Sequence, residues 1–492
     1  MSRPSSKPRK PPPQTHPRSS SNAISSAPSA NPTPSPSPPD NTPPITTHHN
    51  PRPTRVFSYT HPPPTFHARH TNMPLTILHI STRLILGGSQ ENTVLSCEGQ
   101  ANLGHSVHLA FGPIFGPEGS LLDRVKAFRT HDNRRIEHHE VPHLVREIAP
   151  LADRRCLAEL TRLIERTRPD IVHTHSSKAG ILGRAAAWKV AQRSPNRRPA
   201  VVHTIHGPPF MPGHDLKTRI KNHLYTLAER HAAKRCHTIV SVADAMTEQF
   251  LARRIGHPDQ YITVRSGMET QRYLKPAPGE TRDAVRAELN IPPEAFVIGT
   301  VARLAEHKGH DTILDALGND LRTDPRWRLL WVGDGWWADR LLARVRSMGL
   351  EKQVITTGLV PQERIPAMMR AMDVLCHPSE REGLPRTVPQ ALLCAVPVVA
   401  SDCDGTPEAC LDPFTDPTIP PARATGRLFP VGDADKLRAA IRWMHENPAE
   451  RKRLGEQGRA LCATTFSVET MIARLETVYA NALNRADATR SR

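Results

Sequence analysis

A short apolar run followed at once by a charged loop decides the fold of this chain: residues 296–309 read FVIGTVARLAEHKG. The run Phe296–Val301 is continuous enough to be a strand buried on both faces of a parallel sheet. The loop after it carries Arg303 and Lys308 and ends at Gly309, where we expect a helix to begin. A strand, a polar loop and a helix in this order predict a βαβ unit.

The same pattern recurs on both sides of this segment and predicts an α/β protein with two doubly wound, Rossmann-like domains. The first domain is expected over 73–273 and the second over 274–465, followed by a C-terminal helical segment, 466–492. Strands are predicted at 75–80, 107–111, 171–174, 201–205, 238–242, 296–301, 329–333, 354–357, 374–377 and 398–401. Helices are predicted to run from the Gly87-Gly88 loop to about Leu103, to start near Gly309, Ala338, Ile365 and Thr387, and to fill the chain after Asp433 up to a last helix at 468–483.

Residues 1–72 differ from the rest in composition. They are rich in Pro, Ser, Thr and His and hold little apolar material to bury, so we expect a disordered tail. Met73 directly precedes the first predicted strand, which makes it a candidate start of translation. A plastid targeting peptide is the alternative interpretation of the tail.

Charge and cysteine content narrow the class of protein. The net charge of +17 suits a nucleic acid, an anionic membrane or a polyanionic substrate. Aromatic residues make up only 4% of the chain and no nucleic-acid-binding motif is recognised, so we expect no nucleic-acid partner. The eight cysteines form no CxxC pair and indicate reduced thiols in the cytoplasm. No apolar run reaches the roughly 18 residues of a spanning helix, so contact with an anionic inner membrane face would be peripheral.

Two polar loops follow predicted strands, where ligands bind in open α/β sheets. Arg303 and Lys308 lie five residues apart, and two cations at this spacing predict a binding site for a diphosphate. The loop after 374–377 leads into a helix whose N-terminus offers backbone donors to an anion. This second loop and helix carry Glu382, Gly383, Leu384, Pro385, Arg386 and Gln390.

With these loops the sequence resembles glycosyltransferase family 4, enzymes of GT-B fold related to glycogen and sucrose synthases, over about 75–483. The resemblance implies that Arg303 and Lys308 hold the donor diphosphate and that Glu382 contacts the transferred sugar. Gln390 stands where the family usually has an acidic residue that binds the ribose. Leu384-Pro385 replaces the usual Phe-Gly and removes a backbone donor, for which Arg386 is the candidate replacement.

The resemblance also assigns parts of the first domain. It implies that two domains face a cleft and that the last helix packs back on the first domain. Gly87 and Gly88 resemble the glycine loop that lets the donor phosphate approach the backbone, and His206 corresponds to a histidine near the reacting sugar. The family needs no divalent metal, and we expect neither metal nor cofactor. His173 and His175 share a strand face, but no further ligand follows them at a suitable spacing.

The expected function is therefore retaining transfer of a hexose-type sugar from a nucleotide-diphosphate donor. A UDP-sugar is favoured over GDP-mannose, and the acceptor hydroxyl belongs to a polysaccharide, a lipid-linked glycan or a small molecule. The catalytic candidates are Glu382, Arg303, Lys308 and His206. Two alternatives are a GT-B sugar-nucleotide epimerase and a non-catalytic sugar-nucleotide-binding relative.

Overall fold

The computed structural model describes residues 73–114, 119–194, 198–207, 209–210 and 215–490. The predictions for the tail, residues 1–72, lie outside these ranges. Within them the chain forms two parallel sheets, each flanked by helices. All eight cysteine thiols are free.

The first sheet has seven strands in the order β3-β2-β1-β4-β5-β6-β7, and every pair is parallel. The order reverses between β1 and β4, which leaves a crevice beyond the carboxyl ends of these strands. The strands are β1 Thr76–Ser81, β2 Ser106–Phe111, β3 Glu137–Glu140, β4 Ile171–His175, β5 Ala200–Ile205, β6 Thr238–Ser241 and β7 Tyr261–Thr263. The helices are α1 Gly88–Asn102, α2 Leu122–Ala127, α3 Pro150–Thr167, α4 Ser177–Arg193, α5 Leu216–Ala233 and α6 Asp244–Ala252.

The second sheet has six parallel strands in the order β10-β9-β8-β11-β12-β13, with its reversal between β8 and β11. Two short helices, α7 Thr270–Leu274 and α8 Arg282–Glu288, precede it. Its strands are β8 Phe296–Val301, β9 Trp327–Val332, β10 Val354–Thr356, β11 Val374–His377, β12 Val398–Ser401 and β13 Gly426–Phe429. Its helices are α9 His310–Thr323, α10 Ala338–Ser347, α11 Ile365–Arg370, α12 Thr387–Leu393, α13 Ala434–Glu446 and α14 Pro448–Thr465.

The predicted strands are confirmed to within two residues, and the sequence analysis missed β3, β7 and β13. The sequence of β3, EHHE, is polar throughout and mostly exposed, because this strand forms an edge of the sheet. Strand β7, the other edge of the first sheet, is only three residues long and half-buried. Strand β13 is an edge of the second sheet. Edge strands do not need the apolar run by which the central strands were recognised.

The last helix, α15 Val468–Arg490, extends beyond the predicted 468–483 and packs on the first sheet and α1. Met471, Leu475, Val478 and Tyr479 are buried in one cluster with apolar residues of β1, β4, β5 and β6. The chain therefore returns to the first sheet after completing the second. In the part of the chain that the structure describes, no helix combines the length and apolar character that crossing a bilayer requires.

Candidate active site

A cavity of about 550 Å³ lies between the two sheets and is lined from both domains. The first domain contributes the start of α1 and the loops after β4 and β5. The second domain contributes the loops after β8 and β11. These are the carboxyl ends of the strands beside each reversal of strand order, where ligands bind in open α/β sheets.

The loop after β8 brings Arg303 and Lys308 to the cavity. It makes a short 3-10 turn, Glu306–Lys308, before α9 begins. Gly309 joins the turn to the helix at φ 72°, and a Cβ on it would lie 2.2 Å from the carbonyl oxygen of Pro378. Only glycine fits there. Arg303 is exposed, and its guanidinium carbon lies 5.5 Å from the ring centre of Trp336.

Glu382 is the polar centre of the second loop. Its Oε1 accepts a hydrogen bond of 2.5 Å from Lys308 Nζ and lies 3.3 Å from His377 Nε2. Its backbone N–H donates to Asp404 Oδ2 at 2.7 Å. Burial opposes ionisation of Glu382, but the charges and hydrogen bonds of Lys308 and His377 together more than offset it, so the pKa of this carboxyl is well below its usual value. The cavity thus holds an ionised carboxylate beside a lysine.

His206 and Gly207, after β5, meet the Glu382 loop across the cavity. A Cβ built on Gly383 would lie 2.1 Å from the carbonyl oxygen of His206, so the two backbones can approach this closely only because residue 383 has no side chain. Burial and the nearby charge of Arg386 lower the pKa of His206 to about 4. His206 is therefore a neutral imidazole at physiological pH.

Arg386 links the two domains. Its Nη2 lies 3.0 Å from Glu91 Oε1, and its Nη1 donates to the carbonyl oxygen of Gly267 at 3.1 Å. The side chain crosses directly over Gly88, where a Cβ would come within 2.7 Å of Arg386 Cδ. One ion pair and one hydrogen bond therefore hold its guanidinium between the two domains.

The structure gathers most of the predicted site residues around this one cavity. Gly87 and Gln390 are not among the described residues that line it, and Gln390 is buried in α12 with 7% of its surface exposed. The predicted residues that line the cavity are Gly88, His206, Arg303, Lys308, Glu382, Gly383, Leu384 and Arg386.

A group of histidines that the sequence analysis did not assemble lies beside the cavity. His79, His173 and His175 are buried, with one ring nitrogen of each within 4.8 Å of the others. The sequence pointed to His173 and His175 alone. His79 lies 94 residues earlier and becomes their neighbour because β1 pairs with β4 in the register His79↔His173. Only the strand order could have revealed the third histidine.

Both halves of the chain match known family models. Residues 281–461 match the family model described as glycosyl transferases group 1, and residues 86–272 match the model described as glycosyltransferase family 4. The chain belongs to glycosyltransferase family 4. Between them the two models cover every predicted site residue and every strand of the two sheets except β1.

Individual members of family 4 are similar at moderate identity. The Escherichia coli UDP-Gal:alpha-D-GlcNAc-diphosphoundecaprenol alpha-1,3-galactosyltransferase is 27% identical over 68% of this chain and 82% of its own length. The 2-deoxystreptamine glucosyltransferase of Streptomyces kanamyceticus is 30% identical over 51% of this chain and 64% of its own. These relatives place the chain among glycosyltransferases that use nucleotide sugars.

Solved structures establish the GT-B fold. Anabaena Alr3699/HepE in complex with UDP-glucose superposes with a TM-score of 0.64 at 20% identity, covering 82% of this chain and 98% of that one. The sucrose-phosphate synthase of Thermosynechococcus elongatus superposes with a TM-score of 0.66 at 19% identity and the same coverage. The predicted fold of two Rossmann-like domains facing a cleft is confirmed.

Proposed function

We propose that this glycosyltransferase moves a hexose from a UDP-sugar to an acceptor hydroxyl, with retention of configuration and without a metal ion. The observation that carries the proposal is the Lys308–Glu382 pair, together with Arg303, in a cavity shared by both domains. The E. coli relative is a UDP-Gal-dependent galactosyltransferase and the Anabaena protein was solved in complex with UDP-glucose, which supports this donor over GDP-mannose.

The leaving diphosphate is the group that Arg303 and Lys308 suit. Negative charge grows on it as the bond to the sugar breaks, and preorganised cations stabilise that charge more in the transition state than before. The N-terminus of α9, which follows Lys308 by two residues, adds the positive end of a 14-residue helix. Two cations and a helix terminus supply the charge that a bound metal ion would otherwise provide.

Glu382 and His206 suit the sugar. An ionised Glu382 favours the positive charge that develops on the anomeric carbon, but its hydrogen bond to Lys308 makes it a weak nucleophile. We therefore propose attack by the acceptor hydroxyl on the face that the diphosphate leaves, with the diphosphate accepting the proton. Neutral His206 binds a hydroxyl of the sugar from the opposite domain.

A panel of nucleotide sugars tests the donor. We expect UDP-glucose or UDP-galactose to raise the unfolding temperature more than GDP-mannose, because a ligand that binds only the native state stabilises it. NMR of the product then reports the anomeric configuration, and activity in EDTA reports the metal requirement. A free epimerised sugar released with UDP in the absence of any acceptor would favour the epimerase instead. Binding with no turnover for any acceptor would favour a non-catalytic relative.

Gln390→Glu tests whether residue 390 binds the ribose. We expect the variant to fold and to bind the donor at least as tightly as the wild type, because a carboxylate forms stronger hydrogen bonds to a diol than an amide does. Calorimetric titration with UDP and with UDP-sugar measures the change. Complete loss of binding would contradict a ribose contact and assign Gln390 to another neighbour.

The first domain carries a surface that suits a membrane. Helix α5 exposes Leu216, Ile220, Leu224 and Leu227, spaced so that they fall on one face. Exposed Lys217, Arg219 and Lys221 lie on the same helix. An exposed apolar face bordered by cations is typical of helices that lie in the surface of an anionic bilayer. We propose that α5 docks on the cytoplasmic face of the membrane and that the acceptor is lipid-linked.

Vesicle binding tests this surface. We expect the protein to co-sediment with vesicles of phosphatidylglycerol and phosphatidylcholine, and Ile220→Asp/Leu224→Asp to weaken the partitioning at least about tenfold, because each buried leucine-sized side chain contributes about 1.5–3 kcal/mol. The matched control is Ile148→Asp/Leu151→Asp, which changes two apolar residues outside α5 that are even more exposed. Binding that is equal on pure phosphatidylcholine, or weakened equally by both variants, would contradict the proposal.

A further inference from the structure

A line of buried hydrogen bonds runs from the cavity into the first domain. We call its four members, His206, His175, His79 and Gln100, the histidine line. His206 Nε2 lies 3.1 Å from His175 Nδ1, and His175 Nε2 lies 2.9 Å from His79 Nδ1. His79 Nε2 lies 2.7 Å from Gln100 Oε1. His79, His175 and Gln100 are at most 1% exposed, so only His206 reaches the cavity.

All three imidazoles of the histidine line are neutral. Burial lowers the pKa of His79 to about 4 and the pKa of His175 well below its usual value, and His206 is also lowered to about 4. A neutral imidazole has one N–H donor and one acceptor nitrogen. Each ring in the line must therefore donate on one side and accept on the other, and the tautomer of one ring fixes the next.

Gln100 sets the direction of the line. Its Oε1 can only accept, so His79 carries its proton on Nε2. His79 Nδ1 then accepts from His175 Nε2–H, and His175 Nδ1 accepts from His206 Nε2–H. His206 is left with an unprotonated Nδ1, which makes no hydrogen bond among the described residues. If the amide were reversed, every donor and acceptor in the line would exchange, and His206 Nδ1 would donate.

The hydroxyl of Tyr479 on α15 binds the other end of the Gln100 amide. Gln100 Nε2 donates to the Tyr479 hydroxyl at 2.7 Å, and that hydroxyl lies 2.8 Å from His173 Nδ1. His173 Nε2 in turn lies 2.7 Å from Thr204 Oγ1. With Tyr479 donating to His173 and His173 donating to Thr204, each of these hydrogen bonds pairs one donor with one acceptor, as buried networks require.

We propose that Gln100 is a positioning residue, which fixes His206 in the tautomer whose Nδ1 accepts a hydrogen bond from a hydroxyl of the donor sugar. This inference rests on the proposed function, in which His206 contacts that sugar. The same hydrogen bonds account for both ring nitrogens of His79, His173 and His175 without a metal ion. Zn²⁺ binding by these three histidines is the competing explanation of the cluster.

The test reads the tautomer directly. In protein labelled with ¹⁵N in histidine, imidazole nitrogen shifts distinguish a protonated from an unprotonated nitrogen, and His206→Asn assigns the signal. We expect the wild-type His206 to be protonated on Nε2, and Gln100→Met to give a mixture of tautomers. In the same variant we expect kcat/KM for transfer to fall about tenfold, the usual effect of leaving one buried polar group unmatched.

Thr174→Val is the matched control. Thr174 is fully buried on β4 and shares a hydrogen bond of 3.0 Å with His203 Nδ1, outside the histidine line. We expect this variant to keep the wild-type tautomer of His206, and its kcat/KM to stay within about twofold. If Gln100 only stabilised the fold, Thr174→Val, which also removes a buried hydrogen bond, would lower the activity as much as Gln100→Met does.

Several outcomes would overturn the inference. A wild-type His206 protonated on Nδ1 would do so alone, even if Gln100→Met failed to fold. An unchanged tautomer in Gln100→Met would do so as well. Stoichiometric uptake of Zn²⁺ with shifts of the His79, His173 and His175 signals would favour the metal site. Because the tautomer is measured without turnover, a failure of the proposed function would show separately, as absent transfer with the predicted tautomer present.

Discussion

Lys308→Ala is expected to lower the turnover of sugar transfer at least about a hundredfold while the protein stays folded, the usual loss when one transition-state donor is removed. A cation about 4 Å from a charge in a partly solvated site is worth about 4 kcal/mol before desolvation. A hundredfold effect needs only about 2.7 kcal/mol. Lys308 Nζ also donates a hydrogen bond of 2.5 Å to Glu382, so removing the lysine disturbs the residue proposed to contact the sugar as well as the diphosphate site. Single-turnover and steady-state rates with the preferred donor measure the loss.

Two further variants separate catalysis from stability in this prediction. Removing Lys308 leaves the Glu382 carboxylate without its cation, which costs stability, and Glu382→Gln in the same background should restore the unfolding temperature but not turnover. Lys352→Ala, an exposed lysine after α10, should behave as wild type. Turnover of Lys308→Ala within threefold of wild type would refute the role of Lys308 at the diphosphate.

Sequence patterns predicted the fold well because the central strands of a parallel sheet are buried on both faces. Phe296–Val301 and Val374–His377 were found with their bounds because both strands are buried throughout and most of their residues are apolar. The edge strand Glu137–Glu140 had no such requirement and was missed. The common location of the polar residues that follow the central strands could be predicted from topology alone, because ligands bind beyond the carboxyl ends of strands at a reversal of strand order.

The cross-domain contacts of the site could not be predicted in this way. Glu91 meets Arg386 because two sheets face each other, and His79 meets His173 because β1 and β4 are neighbours in a particular register. Asp404 accepts from both Gln249 of the first domain and the Glu382 backbone. No local pattern in the sequence encodes such pairs.

Gly383→Ala is expected to reduce the rate of transfer about a hundredfold by forcing the domains apart. The new Cβ would lie 2.1 Å from the carbonyl oxygen of His206 and 3.0 Å from Gly207 Cα, and these are backbone atoms that no rotamer change can move. Separation would carry His206 away from Glu382 and Lys308, and a displacement of about 1 Å can cost about a hundredfold in rate. Overpacking of this kind also costs about 1–3 kcal/mol of stability.

Gly207→Ala is the matched control, because it adds the same methyl group from the opposite side of the contact. Its Cβ would lie 3.9 Å from Gly383 N, which is an ordinary van der Waals distance. Small-angle scattering should therefore show an unchanged radius of gyration for Gly207→Ala and a larger one for Gly383→Ala. If Gly383→Ala kept both the wild-type radius of gyration and full activity, the close contact between Gly383 and His206 would be contradicted.

The same variant distinguishes binding from catalysis. Arg303, Lys308 and Glu382 all belong to the second domain and keep their mutual geometry when the domains separate. Gly383→Ala should therefore still bind UDP within about tenfold of the wild-type affinity, a change of at most about 1.4 kcal/mol, while transfer falls much further. An equal loss of UDP affinity and of transfer would mean that both domains hold the donor. The domains would then have to close before the donor binds, and not only before the chemical step.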